Sequence, residues 1–201
     1  MRCEILLYPG AEELDVLGPY EVLQAARSLG ADIETALISF GGIEPLRLAH
    51  GATIIPHRRA GGVTPDLMVV PGGGWKSNAA FGARAEVGKP NTLGFIRGAH
   101  GSGAVIAGVC TGAMLLAHAG LLNGRPAITH HSAIDDLRAA GADVKFERVV
   151  DDENIVTCGG VTAGIDLALW LVERFFGKDK ANETAVYLEY ERRGYVWIRP
   201  K

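Results

Sequence analysis

The sequence predicts an α/β domain with a mostly parallel sheet covered on both faces by helices, and three observations lead there. Short β-branched or aliphatic runs alternate with helix-patterned segments along the chain, the order that gives parallel strands joined by helical crossovers. The 27 glycines fall between apolar runs, so they punctuate elements and mark neither a linker nor a repeat. With 48% hydrophobic and 21% charged side chains in 201 residues, the chain can bury about 70% of its extended surface in one core. Residues 1–201 are therefore read as one domain.

The first strand covers residues 4–8 and leads into a helix at 14–29. Glu12, Glu13 and Asp15 stand at its start, where carboxylates usually complement the helix dipole or cap free N–H groups. Pro19 is read with them as a first-turn proline, the position a helix tolerates. A second strand follows at 33–39, and residues 46–56, with Gly51 in their middle, suit a small hairpin or edge excursion. Residues 67–70 form a strand, and a helix after it reaches 95–99. A strand at 104–109 meets a helix at 111–119, while 145–150 and 155–157 flank a polar turn at 151–154 as a hairpin. In the helix at 162–176, Leu167, Leu171 and Phe175 recur every four residues beside Ala168 and Val172, which makes a broad face for the core.

The joint at Gly108-Val109-Cys110-Thr111-Gly112 is the cysteine counterpart of the Gly-x-Ser-x-Gly nucleophile elbow. So sharp a turn strains its central residue, and larger neighbours in place of the glycines would collide. Cys110 falls at a helix N-terminus, where free N–H groups and the helix dipole are expected to lower its pKa into the range ~3.5–7.5. The strand at 67–70 ends in Gly72-Gly73-Gly74, which a parallel sheet brings to the same edge. The amides of Gly73 and Gly74 are the candidate anion hole.

Other chemistry is excluded or unsupported. The first strand ends in Pro9-Gly10-Ala11-Glu12, unlike a dinucleotide-binding fingerprint. Cys3, Cys110 and Cys158 lack any CxxC spacing, so no disulfide framework or zinc knuckle is expected, and Cys3 and Cys158 read as packing residues. His130 and His131, taken as strand neighbours, would point to opposite faces, and no metal site is assigned to them. A net charge of −3 argues against nucleic acid. No apolar stretch reaches the roughly 20 residues of a membrane span, and no signal peptide opens the chain; a cytoplasmic protein is expected.

Five ordered segments then bring a family into view. Leu14-Asp15-Val16-Leu17-Gly18-Pro19-Tyr20-Glu21-Val22-Leu23, Pro71-Gly72-Gly73, Val109-Cys110-Thr111-Gly112, Ala119-Gly120-Leu121-Leu122-Asn123-Gly124-Arg125 with Thr129-His130, and Gly159-Gly160-Val161-Thr162-Ala163-Gly164-Ile165-Asp166 together resemble the ThiJ/PfpI superfamily. Within it they resemble most the isocyanide hydratases and related sensor domains. The resemblance implies a flavodoxin-like three-layer sandwich, a homodimer, Cys110 as nucleophile, Asp15 as its acid partner and Thr111 as a donor. Peptidase-like members place histidine directly after the nucleophile, where Thr111 stands here. Glyoxalase-like members use glutamate at the position of Asp15, and the late His-x-Glu pair of amidotransferases is missing after Cys158.

The activity so implied is cofactor-independent hydration of a small-molecule isonitrile to an N-substituted formamide through a Cys110 thioimidate. Two rivals stand beside it. One is a sensor domain related to AraC-type regulators, which the end of the chain at Lys201 is expected to disfavour, since no helix-turn-helix module follows. The other is glyoxalase or deglycase chemistry on α-oxoaldehydes, which would recruit His130 as a base.

Overall fold

The computed structural model describes residues 1–77 and 79–200. Strand β1 (Arg2–Leu7) is buried at every position after the first, as a strand covered on both faces must be. It runs into α1 (Glu13–Ser28), and β2 (Glu34–Ser39) lies parallel beside it. β3 (Leu46–Arg47) and β4 (Thr53–Ile54) pair as the small antiparallel hairpin expected there, and β5 (Arg58–Arg59) edges β2. After β6 (Leu67–Val70) come α2 (Ala83–Glu86) and α3 (Pro90–Gly101), then β7 (Val105–Val109) and α4 (Gly112–His118). A side sheet of β8 (Pro126–Ala127) and β9 (Asp143–Val144) brackets a 3₁₀ turn (His131–Ala133) and α5 (Ile134–Ala139). The hairpin β10 (Val149–Asp152) and β11 (Ile155–Cys158) precedes α6 (Ala163–Phe176), α7 (Lys178–Tyr187) and β12 (Val196–Ile198).

The main sheet has the order β12-β10-β11-β7-β6-β1-β2-β5, and every neighbouring pair is parallel except β10 with β11. Helices α1, α6 and α7 group together, while α3 and α4 pack with β7. The strand order reverses at β1, with β2 on one side and β6 on the other, and at this switch point the loops after β1 and β6 meet, the Glu12 N–H donating to the Gly72 carbonyl at 3.0 Å. Cys110 follows β7, one strand from that switch point. None of the helices among the described residues is long and apolar enough to cross a membrane.

Two local expectations are corrected. The hairpin turn is shorter than the sequence suggests: Asp152 faces Ile155 in the ladder, so Asp151 and Asp152 are strand residues and Glu153 takes φ +64° in the turn. These buried carboxylates are tolerated because they find partners. Asp151 accepts from Trp170 at 2.7 Å and Arg174 at 3.0 Å, and Asp152 pairs with Arg125 and Arg199. Pro19 is not in the first turn but inside α1, where its missing N–H leaves the Asp15 carbonyl without its helical donor. A Cβ on Gly164 of α6 would meet the Pro19 ring at 3.4 Å, so the glycine lets the two helices approach closely at the proline.

Candidate active site

Cys110 adopts φ +55°, a left-handed backbone that side chains rarely take, so the surroundings must hold it there. They do so from two sides. The Cys110 N–H donates to the Gly159 carbonyl at 3.1 Å, and the Thr129 hydroxyl donates to the Cys110 carbonyl at 2.8 Å. The flanking glycines are steric necessities. A Cβ on Gly112 would overlap the carbonyl oxygen of Val70, and one on Gly108 would press on the Ala113 backbone at 3.1 Å. Because the obstacle at Gly112 is backbone, Gly112→Ala is expected to cost about 3 kcal/mol and to lower Tm by roughly 2–4 °C per kcal/mol, read by thermal melting.

Asp15 enters from the first turn of α1 and is fully buried. Its Oδ2 accepts the Gly72 N–H at 3.0 Å, and no hydrogen bond of good geometry reaches Oδ1. Burial pushes the Asp15 carboxyl up to about 7, and the Glu12 charge adds to this, while the Gly72 amide and the Cys110 thiol beside it pull the other way. The same environment acts on the sulfur. Burial first, and the negative charge of Asp15 second, push the Cys110 thiol up to about 12, against the N–H groups of Val161 and Thr111. The lowered pKa expected from the helix N-terminus is thus overturned: removal from water beside a carboxylate outweighs the dipole of α4, a helix of 7 residues. At neutral pH the resting site therefore has a thiol next to an acid poised between its two forms.

The expected anion hole is also built differently. The Gly73 N–H donates to Thr111 Oγ1 at 2.9 Å and Gly72 serves Asp15, so this loop positions the two site residues. Gly74 lines the cavity, and the amides that favour the charged form of the sulfur are those of Val161 and Thr111. Val161, with φ +48°, lies just before α6. Its part is invisible to a search for chemical side chains, because an amide looks the same at every position; the Gly-Gly-Val-Thr tract was the only signal.

The cavity over Cys110 measures about 200 Å³, and Glu12, Trp75, Lys76, His130 and Ser132 complete its wall. Trp75 is anchored by its indole N–H to Asp136 at 2.6 Å. His130 and His131 do not share a strand. They open the 3₁₀ turn with their rings 4.1 Å apart, which removes the ground on which opposite faces were expected. Glu12 and Glu13 do more than complement the dipole of α1. Glu13 accepts the N–H groups of His50 at 2.8 Å and Ala52 at 3.2 Å, and Glu12 meets the His50 ring at 2.9 Å, fastening the β3–β4 turn to the cavity. The ligand atoms of Glu12, Glu13 and His50 lie within 4.8 Å of one another. Cys3 and Cys158 are buried, and burial pushes both thiols up.

The fold and the candidate site together are those of a parallel α/β protein with a strained cysteine on a strand–helix elbow beside a buried carboxyl from its first helix. The chain belongs to the DJ-1/PfpI family, whose pattern matches residues 1–174. It is similar to an isonitrile hydratase of Pseudomonas putida, with 36% identity over 191 residues, covering 94% of this chain and 78% of that protein. It is also similar to protein dj-1beta of Drosophila melanogaster, with 28% identity over 184 residues, 90% of this chain and 92% of that one. Among solved structures, a ThiJ/PfpI family protein from Pseudomonas syringae superposes with a TM-score of 0.83 at 28% identity, covering 96% of this chain and 76% of that chain.

Proposed function

We propose that the protein is a cofactor-independent isonitrile hydratase with Cys110 as nucleophile and Asp15 as proton carrier. The observation that carries this reading is the placement of the Cys110 thiol, on its strained elbow at φ +55°, beside the fully buried Asp15 carboxyl. The similarity to an isonitrile hydratase at 36% identity supports it.

The reaction turns on the thiol proton. Asp15 takes it from Cys110, and loss of the carboxylate charge removes the repulsion that opposed thiolate formation. The Val161 and Thr111 amides hold the thiolate. Protonated Asp15 delivers the proton to the terminal carbon of R–N≡C as sulfur bonds to the same carbon, giving the thioimidate Cys110–S–CH=N–R. Asp15, ionised again, draws a proton from water as the water oxygen bonds to that carbon, and the nitrogen receives the proton. Collapse breaks the C–S bond. The hydroxyl proton returns through Asp15 to sulfur, and R–NH–CHO leaves. One isonitrile and one water give one formamide, the pair returns to its starting state, and no step requires a cofactor.

Incubation with an aliphatic isonitrile and, separately, with methylglyoxal tests the reading. Formamide without lactate is expected; lactate alone would assign the glyoxalase alternative, and neither product would favour a sensor. The pair also fixes the pH profile. Catalysis needs Asp15 ionised while Cys110 keeps its proton, and the acid sits at about 7. Hence kcat/KM is expected to fall about tenfold per pH unit below that value and to level off above it, measured from about pH 5 to 9. A profile rising toward acid would contradict the assignment.

The working form is a homodimer. Leu14, Leu17, Gly18, Tyr20, Ile165 and Leu188 line an apolar hollow of about 510 Å³ along α1 that a second copy would cover. Sedimentation of the protein checks this. Three free cysteines suit a reducing compartment such as the cytoplasm.

A further inference from the structure

We infer that His130 is a fixed hydrogen-bond donor in the Cys110 cavity, presenting Nε2–H to a carbonyl oxygen or imidate nitrogen of the bound molecule, and not a proton acceptor. The assignment of the proton begins at Ser132. Its backbone N–H donates to His130 Nδ1 at 3.2 Å, and its hydroxyl lies 2.8 Å from the same nitrogen. A ring nitrogen that accepts an N–H cannot carry a proton of its own, so the proton of the neutral imidazole sits on Nε2. The ring thereby caps the 3₁₀ turn with one nitrogen and lines the cavity with Cys110. Nε2 makes no hydrogen bond among the described residues, which leaves this N–H for a ligand. Burial and the neighbouring His131 lower the pKa of His130, which keeps the ring neutral near pH 7.

The ring's position is fixed by a glycine. A Cβ on Gly160 would overlap His130 Cδ2 and come within 3.0 Å of Nε2, so the ring lies flat against backbone that no other residue would leave open. Gly160 is thus a positioning residue. The chemistry this permits is electrophilic. When water adds across C=N of a thioimidate, negative charge develops on nitrogen, and a donor already in place stabilises it. An Nε2 that carries hydrogen is the wrong group to remove a proton from an α-oxoaldehyde. Only the choice of imidate nitrogen as acceptor rests on the isonitrile reading; the donor state of the ring does not.

Nitrogen NMR of protein labelled at histidine tests the donor state without turnover. The His130 Nδ1 signal is expected in the unprotonated range and Nε2 in the protonated range at neutral pH, and saturating N-methylformamide is expected to shift Nε2 in the wild type but not in Gly160→Ala. A turn-capping role alone would not move that signal. A proton on Nδ1, an imidazolium at neutral pH, or an Nε2 signal that N-methylformamide leaves in place would overturn the inference. In kinetics, His130→Ala is expected to lower kcat about 10²-fold and His130→Gln, which offers an N–H at a similar reach, to recover most of it. Equal loss in two folded variants would count against the donor. If the wild type binds N-methylformamide through Nε2–H yet turns over no isonitrile, the proposed function fails and the donor stands.

Discussion

Cys110→Ala is expected to abolish formamide production while the protein melts within a few degrees of the wild type. The two halves have separate causes. In the proposed mechanism the sulfur is the nucleophile that opens the reaction, and loss of a nucleophile from such a site removes on the order of 10⁶ in rate. The fold is spared because alanine keeps the Cβ and meets the same backbone strain at φ +55° that cysteine already bears. The Gly159 and Thr129 hydrogen bonds that hold the elbow go to the Cys110 backbone and not to its sulfur. Steady-state rates and thermal melting on one sample check both halves. An alanine variant that still makes formamide would end the covalent mechanism.

Asp15→Asn is expected to be just as inactive but more stable than the wild type above neutral pH. An amide can neither take the Cys110 proton nor return it. Stability moves the other way because the native carboxyl holds its proton up to about 7, whereas in the unfolded chain it ionises near pH 4. Between those values the native state binds more protons than the unfolded state, so wild-type stability falls as pH rises through the window. Ionised Asp15, with only Gly72 as a good partner, costs up to about 4 kcal/mol by this linkage. Asparagine keeps an acceptor for Gly72 and carries no charge. Urea unfolding near pH 5 and pH 8 should show the variant gaining on the wild type at the higher pH. A variant less stable than the wild type at both would mean that the carboxylate is well solvated or paired.

Both predictions use residues that are legible in the sequence. Cys110 stands out because glycines on either side of a strand–helix joint serve a steric need that chain chemistry alone explains. Asp15, by contrast, is one of three acids at a helix start, and only the order of family-like segments singles it out from Glu12 and Glu13. What escapes the sequence depends on distant partners. Asp151 and Asp152 look like turn residues until Trp170, Arg174 and Arg199 arrive from later elements to satisfy them in a strand. The Cys110 pKa escapes for the same reason, since the dipole is a local feature but burial beside Asp15 comes only from folding. Val161 contributes an amide and Ser132 sets a tautomer, and neither effect has a side-chain signature along the chain.

The covalent thioimidate is the claim on which the mechanism depends, and intact-mass spectrometry after rapid acid quench of a turnover mixture tests it most directly. Adding Cys–SH across an isonitrile carbon leaves nothing behind, so the protein should gain the full mass of one isonitrile. Peptide mapping should place that mass on the segment containing Cys110, and the adduct should vanish as substrate runs out. Formamide produced at the full rate with the added mass on Cys3 or Cys158, or with no added mass at any quench time, would contradict the account.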